Sequence, residues 1–293
     1  MELAATVLNI TAPVFLLAAI GFGWVKLGFE YRVAFVTRLA MTLSVPCLIF
    51  VALMQSDVDP EALATVSMAA LAAYGLVSLG MFAVVRGMRL DSRTFLAPLI
   101  FGNTGNLGLP LAMFAFGQSG LGYAVVVFAV MAILSFTVGV WMVAGGGSPW
   151  RVVQEPVVAA TLLGALFLWQ GWQTPQFLTN AMELIGQMAI PMMLITLGVA
   201  VARLRAKAMA QAAMLSAIKI GLCIGAAVAA ATWFALPPVA AGVLIVQVST
   251  PVAVTSYLLA EKYGADSEAV AGLVVVSTLL SVVALPVILA FVI

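Results

Sequence analysis

The sequence predicts an all-α integral membrane protein with ten transmembrane helices, arranged as two inverted five-helix repeats. Composition predicts the class, because 65% of the 293 residues are hydrophobic and only 8% are charged, whereas soluble domains carry about 25% charged residues. Apolar runs of spanning length, separated by brief connections, predict the number of helices. The runs cover roughly residues 7–25, 33–54, 62–85, 95–116, 122–143, 157–172, 178–202, 208–235, 239–260 and 269–291.

The basic residues predict the orientation of these helices. Eleven of the twelve Lys and Arg residues lie in or beside the odd-numbered connections, whereas the even-numbered connections hold acidic, amide, aromatic or proline residues. The positive-inside rule places the odd-numbered connections in the cytoplasm. We therefore expect a multi-pass protein of the cytoplasmic (inner) membrane, with both termini outside, in the periplasm.

Three pairs of prolines indicate the internal repeat. They are expected at the starts of helices 1 and 6, in the middle of helices 2 and 7, and at breaks in helices 4 and 9. The pairs are Pro13 with Pro156, Pro46 with Pro191, and Pro110 with Pro251. Each offset is close to half of the chain, and five helices per repeat make the two halves enter the membrane from opposite sides. We expect a first repeat in residues 1–143, a cytoplasmic linker in 144–156 and a second repeat in 157–293.

Helices 4 and 9 carry the candidate site. Glycine and proline residues in these helices leave backbone N–H and C=O groups without hydrogen-bond partners. Such a segment survives at membrane depth only when it is packed in protein or lines a polar cavity. Two broken helices that meet near the midplane would direct half-helix N-termini, which carry partial positive charge, at one point suited to an anion. Polar residues can also serve only to pack helices together. The candidate substrate-binding residues are Asn103, Thr104, Gly105, Asn106, Pro110, Gln247, Ser249, Thr250, Pro251 and Val252.

Two charged residues need separate interpretation. Lys219 lies 12 residues beyond Lys207, about 18 Å into the membrane, and an ionisable residue at that depth is a functional candidate. It would replace a coupling sodium ion, attract an anionic substrate or carry a proton; alternatively, its stem packs and its ammonium reaches a cytoplasmic cavity. Because no Asp or Glu lies mid-helix beside it, we expect no cofactor or metal, and proton coupling is better supported than Na⁺ coupling. Glu183 is expected at the outer start of helix 7, as a solvated edge charge.

Two stretches resemble the auxin efflux carrier family. Asn103-Thr104-Gly105-Asn106-Leu107-Gly108-Leu109-Pro110-Leu111 resembles its helix-4 signature, and the stretch from Leu259-Ala260-Glu261-Lys262-Tyr263 to Leu285-Pro286-Val287 resembles its last helix pair. The resemblance implies membership of the bile acid/auxin transporter superfamily and a fold like those of bile acid symporters and Na⁺/H⁺ antiporters. Helices 1, 2, 6 and 7 would form a scaffold, and helices 3–5 and 8–10 a mobile transport unit.

The same resemblance implies site roles and a partner. Asn103 would lie beside the bound carboxylate, and Pro110 and Pro251 would be the prolines of crossed helices 4 and 9. A homodimer through the scaffold helices is also implied. The short connection 144–156 favours a bacterial-type carrier of a small organic acid, such as malate or malonate, over an exporter of an auxin-like hormone.

The sequence therefore predicts a secondary active transporter of a small organic anion, working by elevator-like or rocking alternating access. The net charge of +1 argues against nucleic acid as a partner, because no basic surface is available to neutralise phosphates; the bilayer is the expected surrounding. An anion channel is the main alternative. An intramembrane enzyme using Ser216 and Lys219 is a weaker one, since the chain has no histidine to act as a general base.

Overall fold

The computed structural model describes residues 2–55, 60–145, 156–203 and 209–293. These residues are built from α-helices with three short π-helical segments and contain no β-strand. The π segments are Ala40–Ser44, Thr104–Gly108 and Ser135–Gly139. The α-helices are α1 (Glu2–Lys26), α2 (Val33–Leu39), α3 (Val45–Met54), α4 (Pro60–Gly87), α5 (Ser92–Ile100), α6 (Leu109–Leu134), α7 (Val140–Ala144), α8 (Pro156–Gln170), α9 (Gln176–Gln187), α10 (Ala189–Arg203), α11 (Met209–Trp233), α12 (Pro238–Val248), α13 (Val254–Tyr263) and α14 (Ser267–Val292).

Seven helical stretches within the described residues are long and apolar enough to cross a membrane. One of them, Thr104–Ala144, has 41 residues and would extend about 60 Å if straight, twice the roughly 30 Å of the hydrocarbon core. It is not straight, because Gly117 has φ 65° and ψ −153°. Only glycine adopts this conformation readily, and it produces a kink that separates two helices between the predicted spans 95–116 and 122–143.

The prolines affect the helices differently from what their spacing predicted. Pro13 lies inside α1, so the prediction that it starts helix 1 is wrong. The preceding turns stay helical because Val7 and Ile10 are buried in a core cluster with residues of α6, α10 and α14. Pro110 lies at the start of α6, directly after a π segment, and does not itself break helix 4. A π turn changes the local hydrogen-bond register, which accommodates the missing N–H of a proline.

Two groups of helices pack beside the main core. α1 runs along α10, and α3 packs on both α8 and α9, whereas α4, α6, α11, α12 and α14 pack on one another. The residues of the predicted linker 144–156 fall almost entirely outside the described part of the chain, as do Arg151, Arg205 and Lys207. The division of the chain at the linker therefore stays a prediction.

The start of α5 is fixed by a polar cluster. Asp91 precedes the helix, and its carboxylate accepts hydrogen bonds from the Thr94 amide at 3.0 Å and the Thr94 hydroxyl at 2.6 Å. The same hydroxyl accepts a bond from the Asp266 amide, at the start of α14, at 3.2 Å. The hydrogen bond from the Thr94 hydroxyl is the main cause that lowers the pKa of Asp91. This cluster ties α5 to α14 at the end opposite the candidate site.

Candidate functional site

Two interruptions of the helices meet in the interior of the protein. The first break, residues 101–103, separates α5 from the π segment Thr104–Gly108, and the second break, residues 249–253, separates α12 from α13. An isolated antiparallel bridge joins Gly102 to Val252. The amide of Asn103 donates a hydrogen bond to the carbonyl of Pro251 at 2.7 Å. Each break therefore supplies the other with backbone hydrogen-bond partners, which the bilayer cannot offer.

Glycine allows the two segments to approach. A Cβ atom at Gly102 would collide with the Thr250 hydroxyl oxygen and would lie 2.9 Å from the Thr250 carbonyl oxygen. A Cβ atom at Gly108 would collide with the side-chain amide of Gln247. Two of the glycines that mark helix 4 in the sequence are therefore packing positions, because any side chain would force the breaks apart.

The C-terminal end of α5 is capped by a charge from another helix. In an uninterrupted helix the carbonyl of Leu99 would accept a bond from the amide of Asn103, which is directed to Pro251 instead. The ammonium of Lys219, on α11, donates to this carbonyl at 3.2 Å and lies 3.7 Å from Cys223 Sγ. Lys219 is only 2% exposed. A cation at the C-terminal end of a helix is favourable because the helix dipole is negative there.

A cavity of about 80 Å³ lies where the two breaks open. The start of each C-terminal half-helix contributes to its wall, and neither start has a side-chain cap. Free N–H groups and the positive ends of two helix dipoles therefore meet at this cavity. The described lining residues carry no ionisable side chain; they are Thr37, Ala40, Met41, Gly102, Asn103, Gly105, Asn106, Phe128, Met131, Ala132, Ser135, Phe136, Met193, Thr196, Ala253, Val254 and Thr255.

Asn103 is the strongest single candidate for contact with a ligand. It is 5% exposed, it lines the cavity, and its side-chain Nδ2 has no hydrogen-bond partner. A buried donor without a partner costs free energy unless something accepts its hydrogen bond. A carboxylate in the cavity would supply that acceptor. No group of three or more His, Cys, Asp or Glu side chains suited to a metal occurs among the described residues.

One wall of the cavity is tied to the connection between α1 and α2. The hydroxyl oxygens of Thr196, in the wall, and Tyr31, in the connection, lie 2.8 Å apart. Arg203 donates to the carbonyl of Tyr31 at 2.6 Å. Burial raises the pKa of Tyr31, so its phenol stays neutral at physiological pH. The connection therefore holds α10 in place beside the cavity.

The structure brings only part of the predicted site to the cavity. Asn103, Gly105 and Asn106 line it. The remaining candidates are buried in the protein and do not line the cavity. These are Thr104, Pro110, Gln247, Ser249, Thr250, Pro251 and Val252.

The predicted site list omitted the residues at the end of the second break and those on the facing walls. Ala253 is the last residue of the break, Val254 and Thr255 begin α13, and these three line the cavity in place of residues 249–252. The hydroxyl of Thr255, five residues after Thr250 in the broken helix, was the one available signal. Phe128 and Met193 look like ordinary core residues in the sequence, so no signal marked them.

The enzymatic alternative has no supporting geometry. Ser216 is fully buried and its hydroxyl has no hydrogen-bond partner, while Lys219 is directed at Leu99. A nucleophile and its base must lie within hydrogen-bond reach and meet a substrate. Neither residue lines the described cavities.

Several apolar membrane-crossing helices and an uncharged cavity lined by the starts of interrupted helices are typical of membrane transporters. The family model described as membrane transport protein matches residues 6–153 and 146–289. The chain belongs to this family, that of the auxin efflux carriers, as the two sequence motifs predicted. No curated protein matches the chain.

Proposed function

We propose that this protein is a secondary transporter that moves a small organic anion across the cytoplasmic membrane. The observation that carries the proposal is the cavity at the two breaks, where two uncapped helix N-termini and the unpartnered Nδ2 of Asn103 meet without any acidic side chain. Such a site stabilises negative charge through N–H groups and helix dipoles. Membership of the membrane transport family supports the same function.

The proposed architecture is ten membrane-crossing helices in two inverted repeats. Two shorter apolar helices, Ala159–Gln170 and Pro238–Val248, are counted with the seven candidate spans. The turn at Gly117 divides one long stretch into two, which accounts for the tenth helix. The two stretches matched by the family model meet within residues 146–153, inside the predicted linker.

Helix packing supports the repeat. Gly21 of α1 touches the backbone of Ile195 of α10 so closely that a Cβ atom would collide with it. Gly164 of α8 also packs on α3, though less closely, since a Cβ atom there would lie 3.0 Å from Leu53 Cβ and 3.3 Å from Phe50 Cα. Gly164 follows Gly21 by 143 residues and Ile195 follows Phe50 by 145, the offsets of the first two proline pairs. The contact of helix 1 with helix 7 thus corresponds to that of helix 6 with helix 2.

The position of the cavity supports alternating access. Met41 and Met193 line one side, from the helices proposed as scaffold, and Asn103 and Val254 line the other, from the proposed transport unit. Movement between these two groups of helices would carry a ligand held at the breaks from one side of the membrane to the other. A dimer through the scaffold, proton coupling and periplasmic termini stay parts of this proposal.

The walls of the cavity favour a ligand with one carboxylate and an apolar body. Phe128, Phe136 and Met131 contribute apolar surface, and the described lining offers no cationic side chain for a second carboxylate. The buried ammonium of Lys219 is engaged by Leu99 outside the cavity. A monocarboxylate is therefore a better fit than the dianions malate and malonate.

Uptake into proteoliposomes tests the proposal. We expect saturable uptake of a radiolabelled monocarboxylate that is accelerated by the same unlabelled acid inside the vesicles, because a carrier returns faster when loaded. Asn103→Ala should reduce uptake at least tenfold, whereas Asn180→Ala, on the exposed side of α9, should leave it unchanged. Uptake without trans-acceleration would indicate an anion channel, and full activity of Asn103→Ala would remove the site assignment.

A further inference from the structure

A second, larger cavity lies on the same helices as the cavity at the breaks. Its volume is about 530 Å³. Three helical segments line both cavities, and in each of them a residue that lines the smaller cavity lies three or seven positions from one that lines the larger. The residue pairs are Met41 and Leu48, Asn106 and Met113, and Met193 and Ile190. Seven residues of helix rise about 10 Å, so the two cavities follow one another between the same helices.

The larger cavity opens at the end of the molecule away from the basic connections. Gln55 follows the last residue of α3, whereas Arg32 precedes α2 at the other end of the same membrane-crossing stretch. These ends are separated by the 22 residues of Val33–Met54, about 33 Å of helix. A ligand that enters here from solution would pass the rim of the larger cavity before it reached the breaks.

Glu183 is the single ionisable side chain among the described lining residues of both cavities. It is on α9, and its Oε1 accepts a hydrogen bond from Gln55 Nε2 at 2.8 Å. This bond joins α9 to the end of α3 and keeps the carboxylate at the cavity wall. The rest of the polar rim, Gln118, Ser119 and Gln187, is neutral. Among the described residues, the route to the anion site therefore begins beside a single carboxylate, which the hydrogen bond from Gln55 holds in place.

We propose that Glu183 is a charge filter that makes the carrier select monoanions over dianions. The inference rests on the proposed function, because it concerns anions on their way to the site at the breaks. The repulsion between a fixed carboxylate and a ligand is proportional to the charge of the ligand. A dianion therefore meets twice the repulsion energy of a monoanion of similar size, so the factor by which the carboxylate weakens its binding is the square of the factor for the monoanion.

Glu183→Gln tests the filter, because glutamine keeps the shape and an acceptor for Gln55 while removing the charge. Uptake of butyrate and of succinate is measured at pH 7.5, where both acids are fully ionised. We expect the KM for succinate to fall about tenfold and that for butyrate about threefold, at low ionic strength. At high salt the two effects should converge, because screening shortens the range of the interaction.

Two further variants complete the experiment. Gln187→Glu adds a second carboxylate to the rim and should raise the KM for succinate more than that for butyrate. Glu30→Gln removes an exposed carboxylate that pairs with Arg32 at the other end of the protein, and should change neither value. If Glu183→Gln changes the two KM values by the same factor, or changes neither, the charge filter is overturned. Uptake by the wild-type protein would still support the proposed carrier in that case. Failure of the wild-type protein to take up either acid would overturn the proposed function, and the filter with it.

Discussion

The two breaks solve the same problem with different chemistry. The first break ends α5, whose Leu99 carbonyl is bound by the buried ammonium of Lys219 from another helix. The second break uses neutral hydroxyls: Thr250 caps the carbonyl of Gln247 at 2.7 Å, and Ser277 of α14 accepts from the amide of Val252 at 3.0 Å. One interruption is stabilised by a charge and the other by neutral hydrogen bonds.

The difference shows where the structure depends on a single residue. Hydrogen bonds that involve an ionised group are about twice as strong as neutral ones, and a buried group left without its partner is costly. α5 is also complemented by charge at both ends, with Asp91 before its first residue and Lys219 at its last turn. α12 begins and ends without a charged side chain. The first break should therefore be the more sensitive of the two.

The largest expected effect is that of Lys219→Ala. It leaves the Leu99 carbonyl without its donor and opens a space in the core, so we expect a loss of stability of about 3 kcal/mol and a strong reduction of uptake. Thermal unfolding of the purified protein measures the first. Lys262→Ala, which removes a lysine that lies over the ring of Tyr263, is the control and should melt like the wild type. An unchanged melting temperature for Lys219→Ala would show that the charge does not support the first break.

Gly102→Ala tests the contact between the breaks directly. The added methyl group collides with Thr250, and overpacking of this kind costs about 1–3 kcal/mol. Gly221→Ala in α11 is a matched control, because its Cβ atom would meet nothing within 4 Å and alanine favours the helix. We expect a lower melting temperature and lower uptake only for Gly102→Ala. Equal behaviour of the two variants would mean that the breaks can separate without loss.

The helices of this protein could be predicted because their signal is long and redundant. The predicted run 33–54 coincides with α2, a π segment and α3, and the run 208–235 with α11. Length and apolarity decide such segments, and no single residue matters. Pro13 and Pro110 were misjudged because a proline interrupts a helix only when packing or a π turn does not compensate for its missing bond.

The candidate site could be predicted less well, because the sequence indicates which segments are interrupted but not which of their residues face the cavity. The sequence marked the segments that break, and Asn103 in the first of them lines the cavity. In the second segment the lining residues lie at the end of the break and the start of α13, at Ala253 to Thr255. Polar residues are needed both in the contact between breaks and in the cavity, so their presence alone does not assign them to either. The role of Lys219 as a cap required the position of Leu99, which is 120 residues away in the sequence.

Ser277→Ala sharpens the comparison at the second break. It removes the acceptor for the Val252 amide, and a neutral hydrogen bond of this kind contributes about 1 kcal/mol. We expect a loss well below that of Lys219→Ala and faster deuterium exchange in residues 249–253. Ser67→Ala is the control, because that hydroxyl only bonds back to Leu63 in its own helix. A loss equal to that of Lys219→Ala would contradict the proposed difference between charged and neutral capping.

The smallest expected effect lies at the other end of α5, in Asp91→Asn. The pKa of Asp91 is lowered in the folded protein, chiefly by the hydrogen bond from the Thr94 hydroxyl, whereas the unfolded chain should have the usual value of about 3.9. The ionised carboxylate therefore stabilises the protein above that pH, and the contribution is lost as the pH falls through about 4 toward the lowered folded value.

Asparagine still caps a helix, and Asp91 is exposed, so the decrease in melting temperature at pH 7 should be only about 1–2 °C. The difference from the wild type should shrink as the pH falls below about 4 and disappear below the lowered folded pKa, where both side chains are neutral. Melting curves at several pH values check this, with Glu30→Gln as a control that should track the wild type. A difference that does not change with pH would mean that Asp91 acts through shape alone, and that only one end of α5 is stabilised by charge.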